Sequence, residues 1–338
     1  MITNPTPQRT LRGHRPQRPS QHTAATSSYA AHLATHLTDR DRWLVRMLHE
    51  HRVLTTHQIT EMAWPSPRAA NIRLRRLYEW RVIDRFQPFV TYGSAPMHYV
   101  LDVTGATLLA REQGLEPREV GYRHDRALGI AYSLHLAHTV GTNGFFSSLV
   151  AHSRRADASG HLTTWWSECR CTRHFGDIVR PDAYGIWQDE NCHAALEWFL
   201  EFDFGTERPE RVARKLTGYA KLATTTGITT PVLLWMPTAN RETHVRHALT
   251  TALADLDDPS LVPLATSSAD LHYPANVCWQ PLDVRRPTSR RLRLTELPIA
   301  WPHLPPLDPT HSLDPNPSNG LPPAPPVPPP ASPRRARR

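Results

Sequence analysis

Apolar residues return every three to four positions along three short stretches in the first third of the chain, the spacing of helices buried on one side. The first stretch carries Trp43, Leu44, Met47 and Leu48 behind Thr38 as a cap, and its early acids Asp39 and Asp41 suit the positive end of a helix dipole. The second opens at Leu54-Thr55-Thr56-His57-Gln58-Ile59, with Thr55 or Thr56 as cap and Ile59, Met62 and Ala63 turned inward. The third covers about 67–80 behind Ser66 as cap, and Ala70, Leu74 and Leu77 form its buried stripe. Two extended runs follow, 82–86 and 98–101, with a break at Gly93-Ser94-Ala95-Pro96, and then a further helix. Three short helices and a hairpin predict a winged helix-turn-helix over residues 37–118.

A larger patterned region, 122–298, mixes helical periods with apolar runs of strand length. Leu128, Tyr132, Leu136 and Val140 predict one side of a helix over 124–140, and 162–166 and 178–184 read as strands. The run 194–203 is apolar enough for a central strand; Thr206 is expected to cap a helix over 207–223. A further strand at 231–236 and a helix at 241–256 complete an α/β pattern. The boundary is expected near 114–122, where Gly, Pro and Glu interrupt the period. Residues 1–36 are rich in Pro, Thr, Ser, Arg and His, and 302–338 end in a proline run at 322–330 and a basic tip; both read as disordered tails.

Composition narrows the partners. The 338 residues carry 39 Lys plus Arg against 31 Asp plus Glu, a formal balance of +8, which favours a polyanion such as duplex DNA. Lys215 and Lys221 are the only lysines, as expected of a GC-rich coding sequence. No apolar run is long enough for a spanning helix and none of the signal-peptide kind opens the chain, so a cytoplasmic location away from membranes is expected. Cys169, Cys171, Cys192 and Cys278 match no disulfide framework or standard zinc spacing; reduced structural thiols are the default, and a zinc cluster with His174 and His193 is the lesser alternative.

The third helix carries the most specific chemistry. Its side away from the Leu74 stripe holds Arg68, Asn71, Arg75 and Arg76, opposed only by Glu79. Arginine and asparagine are the side chains whose donor and acceptor geometry matches guanine and adenine edges in the major groove. These four residues are the expected DNA contacts.

In the second region, strand, strand, helix, strand, helix, with Pro181-Asp182 and then Glu201-Phe202-Asp203 at a strand end, resembles the PD-(D/E)xK nuclease core. The resemblance implies a restriction-endonuclease-like α/β domain, and with the winged helix-turn-helix before it the expected fold class is α+β. The resemblance also implies that Asp182 and Glu201 hold Mg²⁺ or Mn²⁺ while a lysine steadies the phosphate charge. Asp203 stands where that lysine is expected, and as a residue two along the same strand it is a third candidate ligand. Lys215, in the following helix, is the candidate for the displaced lysine, which makes Asp182, Glu201 and Lys215 the expected catalytic set.

Taken together, Leu54-Thr55-Thr56-His57-Gln58-Ile59, the arginine-rich third helix, Arg180-Pro181-Asp182, Glu201-Phe202-Asp203-Phe204-Gly205-Thr206-Glu207, and Lys215-Leu216 with Tyr219 resemble the replication-relaxation family of plasmids, phages and integrated elements. The resemblance covers about 38–260 and implies a role in replication or relaxation of a mobile element's DNA, with that element's replication or transfer proteins as partners. Two competing readings stay open: a transcription or copy-number regulator with a catalytically dead nuclease-like domain, and a divalent-metal-dependent DNA nuclease. No Gly-rich phosphate loop is present, which argues against an ATP-driven role. No tyrosine sits by a histidine cluster of the relaxase kind, which argues against nicking by transesterification.

Overall fold

A computed structural model describes residues 6–11, 14–15, 27–90, 93–116, 119–158, 160–189, 195–284 and 288–307. The chain is α+β, and the described residues divide into two compact units, 8–136 and 137–307. The division falls later than the expected 114–122, because the segment past Gly121 packs back on the first unit: the Tyr122 hydroxyl donates to the Leu101 carbonyl at 3.1 Å.

In the first unit, α1 (Ser27–Ala34), α2 (Asp39–His51), α3 (Thr56–Ala63), α4 (Pro67–Glu79), α5 (Val103–Glu112) and α6 (His124–Gly129) accompany a four-stranded antiparallel sheet. Its strands are β1 (His14–Arg15), β2 (Leu54–Thr55), β3 (Ile83–Pro88) and β4 (His98–Leu101), in the order β1-β3-β4-β2. All three expected caps form. Thr38 and Thr55 make reciprocal capping boxes with Asp41 and Gln58, and the Ser66 hydroxyl accepts from the Ala69 amide ahead of Pro67 at the first helical position. Leu44, Met47, Leu54, Ile59, Met62, Leu74, Leu77 and Val82 are fully buried and form the centre of the unit. Gly105 lets α5 sit against the end of α4, because a Cβ there would lie 2.2 Å from the Val82 carbonyl oxygen.

The tail expected over 1–36 is corrected in two places: His14–Arg15 pair with β3, and the end of the segment is helical. Ala30 and Leu33, a turn apart, are buried at 1% and 2% exposure, so 27–34 forms a packed helix; the period was too short to stand out amid polar neighbours. The proline run at 322–330 and the basic tip lie outside the described residues.

The second unit is built on a six-stranded mixed sheet in the order β10-β9-β8-β7-β6-β5. Strands β5 (Gly160–Ser167), β6 (Ala183–Asp189) and β7 (Ala195–Phe202) run antiparallel; β8 (Val232–Trp235) and β9 (Leu264–Ser267) continue parallel from β7, and β10 (Gln280–Leu282) closes the edge antiparallel. On one face lies α7 (Leu136–Ser153), whose Phe145 and Phe146 pack against Trp165, Trp198, Trp235 and Trp279. On the other, α8 (Glu168–Phe175), α9 (Pro209–Thr226) and α10 (Ala239–Ala254) share one apolar cluster with Trp166, Tyr184 and Phe199. At Gly185 on β6 a Cβ would meet Phe146 and Trp198 at 2.7 Å, so glycine is what lets α7 lie so close to the sheet.

Three further sequence expectations are corrected. The single helix over 124–140 is broken: a 3₁₀ turn at Ile130–Tyr132 and an extended Ser133 separate α6 from α7, and Tyr132 is 73% exposed. The strand expected at 178–184 begins only at Ala183, because α8 and its exit occupy the preceding residues. Thr206 does not cap α9; the helix starts at Pro209 behind Arg208, which makes no side-chain cap. Among the described residues no helix is long and apolar enough to cross a membrane.

Candidate functional site

Two clusters of polar side chains stand out, one in each unit. In the first, α4 is fixed from below and open above. Ala70, Leu74 and Leu77 bury its inner stripe completely. Arg73 anchors it to α2: its Nε donates to Asp41 Oδ1 at 2.9 Å, its other nitrogen pairs with Oδ2, and its guanidinium lies 5.2 Å from the Trp80 ring centre. Asp41 Oδ2 also accepts from the Thr38 amide and hydroxyl, each at 2.7 Å, so one buried carboxylate both caps α2 and orients α4. A charge-assisted pair with this many satisfied hydrogen bonds is the kind that holds geometry.

The outer face of α4 presents Arg68, Asn71, Ile72, Arg75 and Arg76, all exposed. Each lies three or four positions from another of the set, which makes them one stripe. Arg75 donates to Glu79 at 2.9 Å and Arg76 stacks on Trp80 at 5.3 Å. Among the described residues no group engages the side chains of Arg68 or Asn71. Beside α4, β3 and β4 form the antiparallel hairpin, with Phe86 stacked on His98 at 5.2 Å. Burial pushes the His98 imidazole down to about 4, its hydrogen bond to the Pro96 carbonyl notwithstanding, so the ring is a neutral spacer in the hairpin.

In the second unit, Asp182, Glu201 and Lys215 come together where β6 begins and β7 ends. Asp182 precedes β6 and its amide donates to Leu200 of β7 at 3.1 Å. Its Oδ2 accepts from the Phe202 amide at 2.7 Å and from His138 Nε2 of α7 at 3.1 Å. Glu201, 4% exposed, is held from α9: Lys215 pairs with Oε2 and the Tyr219 hydroxyl donates to Oε1. Lys215 and Tyr219 are one turn apart, so both reach down from the same helix face.

The electrostatics follow from this crowding. Burial would lift the Asp182 carboxyl, but the charge and hydrogen bond of His138, with Lys215 behind, hold it below the usual carboxylate range. Burial likewise opposes charge on His138, and Asp182 outweighs it, carrying the imidazole up to about 9. At Glu201 burial is the largest influence; with Asp182 adding repulsion it exceeds the pull of Lys215 and Tyr219 and raises the carboxyl to about 7. Lys215 keeps its proton more firmly than usual, burial being outweighed by Glu201 and Asp182. Tyr219 is raised well above its ordinary value by burial and by Glu201. The pocket therefore holds two acids of unequal strength between two cations.

Asp203 does not join them. Its carboxylate pairs with Arg241 of α10, Nε at 2.6 Å and the terminal nitrogen at 3.3 Å, and Oδ1 also accepts from the Gly205 amide. The third ligand expected from strand alternation is thus committed elsewhere, because Asp203 lies past the last residue of β7 and within reach of an arginine. Among the described residues no three His, Cys, Asp or Glu side chains are arranged to hold a metal ion. Cys169 is exposed and Cys171 buried on α8, while Cys192 and His193 lie outside the described residues. His138 and Arg241 carried no signal in the sequence; Tyr219 was legible only as the residue one turn after Lys215.

The chain matches the family model described as replication-relaxation over residues 45–233. No curated protein and no solved structure matches it. The match spans more than half of the 338 residues, including α4, Asp182, Glu201 and Lys215. This chain belongs to the replication-relaxation family.

Proposed function

We propose that the protein binds duplex DNA of a plasmid or integrated mobile element and acts in its replication or relaxation, reading the duplex with a winged helix-turn-helix whose recognition helix is α4. The observation that carries this reading is the outer face of α4, where three arginines and an asparagine stand exposed in one stripe on a helix whose inner side is locked by Arg73 and Asp41. A rigid cationic helix beside a two-stranded hairpin suits the major groove, with phosphate contacts for affinity and base edges for register. Filter binding across a salt series tests it. If Arg68, Arg75 and Arg76 each meet a phosphate, log K against log salt falls with a slope of about −3. Absence of binding to any duplex, or a flat salt profile, contradicts the reading.

The second unit supports a further reading, a divalent-metal-dependent DNA nuclease of the PD-(D/E)xK kind. Two observations favour it: three antiparallel strands followed by a crossover helix and a parallel strand, and Asp182 and Glu201 gathered with Lys215. Two carboxylates fit Mg²⁺ or Mn²⁺, a hard cation that keeps several waters and is bound through one or two acids. The side-chain contacts of Asp182 from Phe202 and His138 fall on Oδ2, which leaves Oδ1 for such an ion. Asp182 and Glu201 would hold it, Asp203 would not, and a bound ion would supply Lewis acidity and an activated water. Lys215 would neutralise charge at the phosphate. Calorimetry with Mn²⁺ on the wild type, Asp182→Asn and Glu201→Gln reads the binding, and supercoiled plasmid reads nicking. Heat and nicking lost in both variants support this reading. DNA binding with neither heat nor nicking in the wild type favours a regulator whose nuclease-like unit is inert.

A further inference from the structure

Ile72 is 64% exposed, and it sits in the middle of the α4 stripe with Arg68 and Asn71 before it and Arg75 and Arg76 after it. Ala70, Leu74 and Leu77 of the same helix are wholly buried. A branched aliphatic side chain exposed among cations gains nothing from water. Isolated exposed aliphatics are common on protein surfaces, so exposure alone decides nothing. What distinguishes Ile72 is its place on the face that complements a polyanion, and the different commitments of its neighbours. Arg75 is tied to Glu79 and Arg76 is stacked on Trp80, while Arg68 and Asn71 are unengaged among the described residues. The groups free to turn toward base edges are therefore in the first two turns of α4, the end of a recognition helix that approaches the bases.

We infer that Asn71 and Ile72 act together as the reader of an A·T pair or step in the major groove, Ile72 packing on the 5-methyl group of thymine and Asn71 pairing with adenine. The chemistry of the groove supports the assignment. Thymine is the base that offers an apolar group there, and the asparagine amide matches the adjacent donor and acceptor of adenine. Arg68, one turn earlier on the same stripe, is then the guanine or phosphate contact beside this pair, while Arg75 and Arg76 hold the strand. The inference rests on the proposed reading of α4 as a DNA-recognition helix and names what that helix recognises.

The test begins with the full chain and a pool of random duplexes, from which a preferred site is selected. Each thymine of that site is then replaced in turn by deoxyuridine, which lacks only the methyl group, and Kd is read by fluorescence anisotropy. One position is expected to weaken wild-type binding about fourfold, the value for a buried methyl-sized group. In Ile72→Ala that thymine-to-uracil ratio falls to about one, while discrimination at the other positions stays and the melting curve is unchanged. In Asn71→Ala preference for the adenine at or next to that thymine is lost. Selection of no duplex at all would overturn the reading of α4 as a DNA contact, and this inference with it. A selected site at which no thymine methyl matters, or at which the uracil penalty persists in Ile72→Ala, overturns the inference alone. Loss of self-association in Ile72→Ala with an unaltered DNA profile would assign the side chain to a protein contact and also overturn it.

Discussion

Replacing His138 with glutamine removes a cation from the pocket while keeping a side chain able to donate a hydrogen bond to Asp182. Folding carries the imidazole from 6.5 to about 9, and this raised value means the folded state binds the proton more tightly than the unfolded chain does. The associated stability is fully present below about 6.5 and is lost as pH rises through about 9. At about 1.36 kcal/mol per pK unit the full shift corresponds to roughly 3 kcal/mol. The His138 side chain is 30% exposed, and solvent screening reduces the expected figure to about 2 kcal/mol. Asp182, held below the ordinary carboxylate range, stays charged throughout this window, and the titration of Glu201 near 7 is common to both proteins. Urea unfolding of wild type and His138→Gln at pH 6 and again above pH 9 reads the difference directly. Wild type should be the more stable at pH 6, with most of that margin gone at the higher pH. A margin that does not change with pH would refute the claim that His138 enters the pocket as a cation paired with Asp182, and would leave it as packing against Phe202 and Phe204.

Other substitutions probe the frame that positions these groups. Leu74→Ala empties a fully buried site under α4 and should cost about 2–5 kcal/mol in denaturant unfolding; a cost near zero would mean that α4 is not packed as described. Gly105→Ala drives a methyl group into the Val82 carbonyl and should cost about 1–3 kcal/mol, read from the melting temperature. Arg241→Ala strands Asp203, whose side chain is 7% exposed, and should destabilise the second unit by about 3 kcal/mol or more, whereas the double change with Asp203→Ala should recover part of the loss.

The first unit was legible in the sequence because local signals agreed there: Thr38, Thr55 and Ser66 each cap a helix, and the Leu74 stripe separates an inner face from an outer one. The second unit hid its longest new element. Helix α7 is enclosed along 141–150, Gly141, Thr142, Asn143 and Gly144 included, so no polar face exists to produce a period. The break at Ser133 falls inside what looked like continuous spacing, since Leu128 and Leu136 belong to different helices. The late strands β9 and β10 are short and give little alternation. At the site, the sequence brought Asp182, Glu201 and Lys215 to attention through motif order. It could not reveal His138, 44 positions before Asp182, or that Arg241 would claim Asp203, since both are consequences of tertiary packing.

If α4 reads duplex DNA, Asn71 is a base-edge contact whose removal separates selected from unselected duplexes. Kd is measured for wild type and for Asn71→Ala on the selected duplex and on a scrambled duplex of equal length, at one fixed salt concentration, with melting curves to show that both proteins are folded. Asn71 is exposed and unengaged within the described chain, so its loss should leave the fold untouched. The variant is expected to lose about 1–3 kcal/mol on the selected duplex, the worth of a base-edge contact, with little change on the scrambled one. Equal affinity of wild type and variant for both duplexes would contradict a base-reading role for α4.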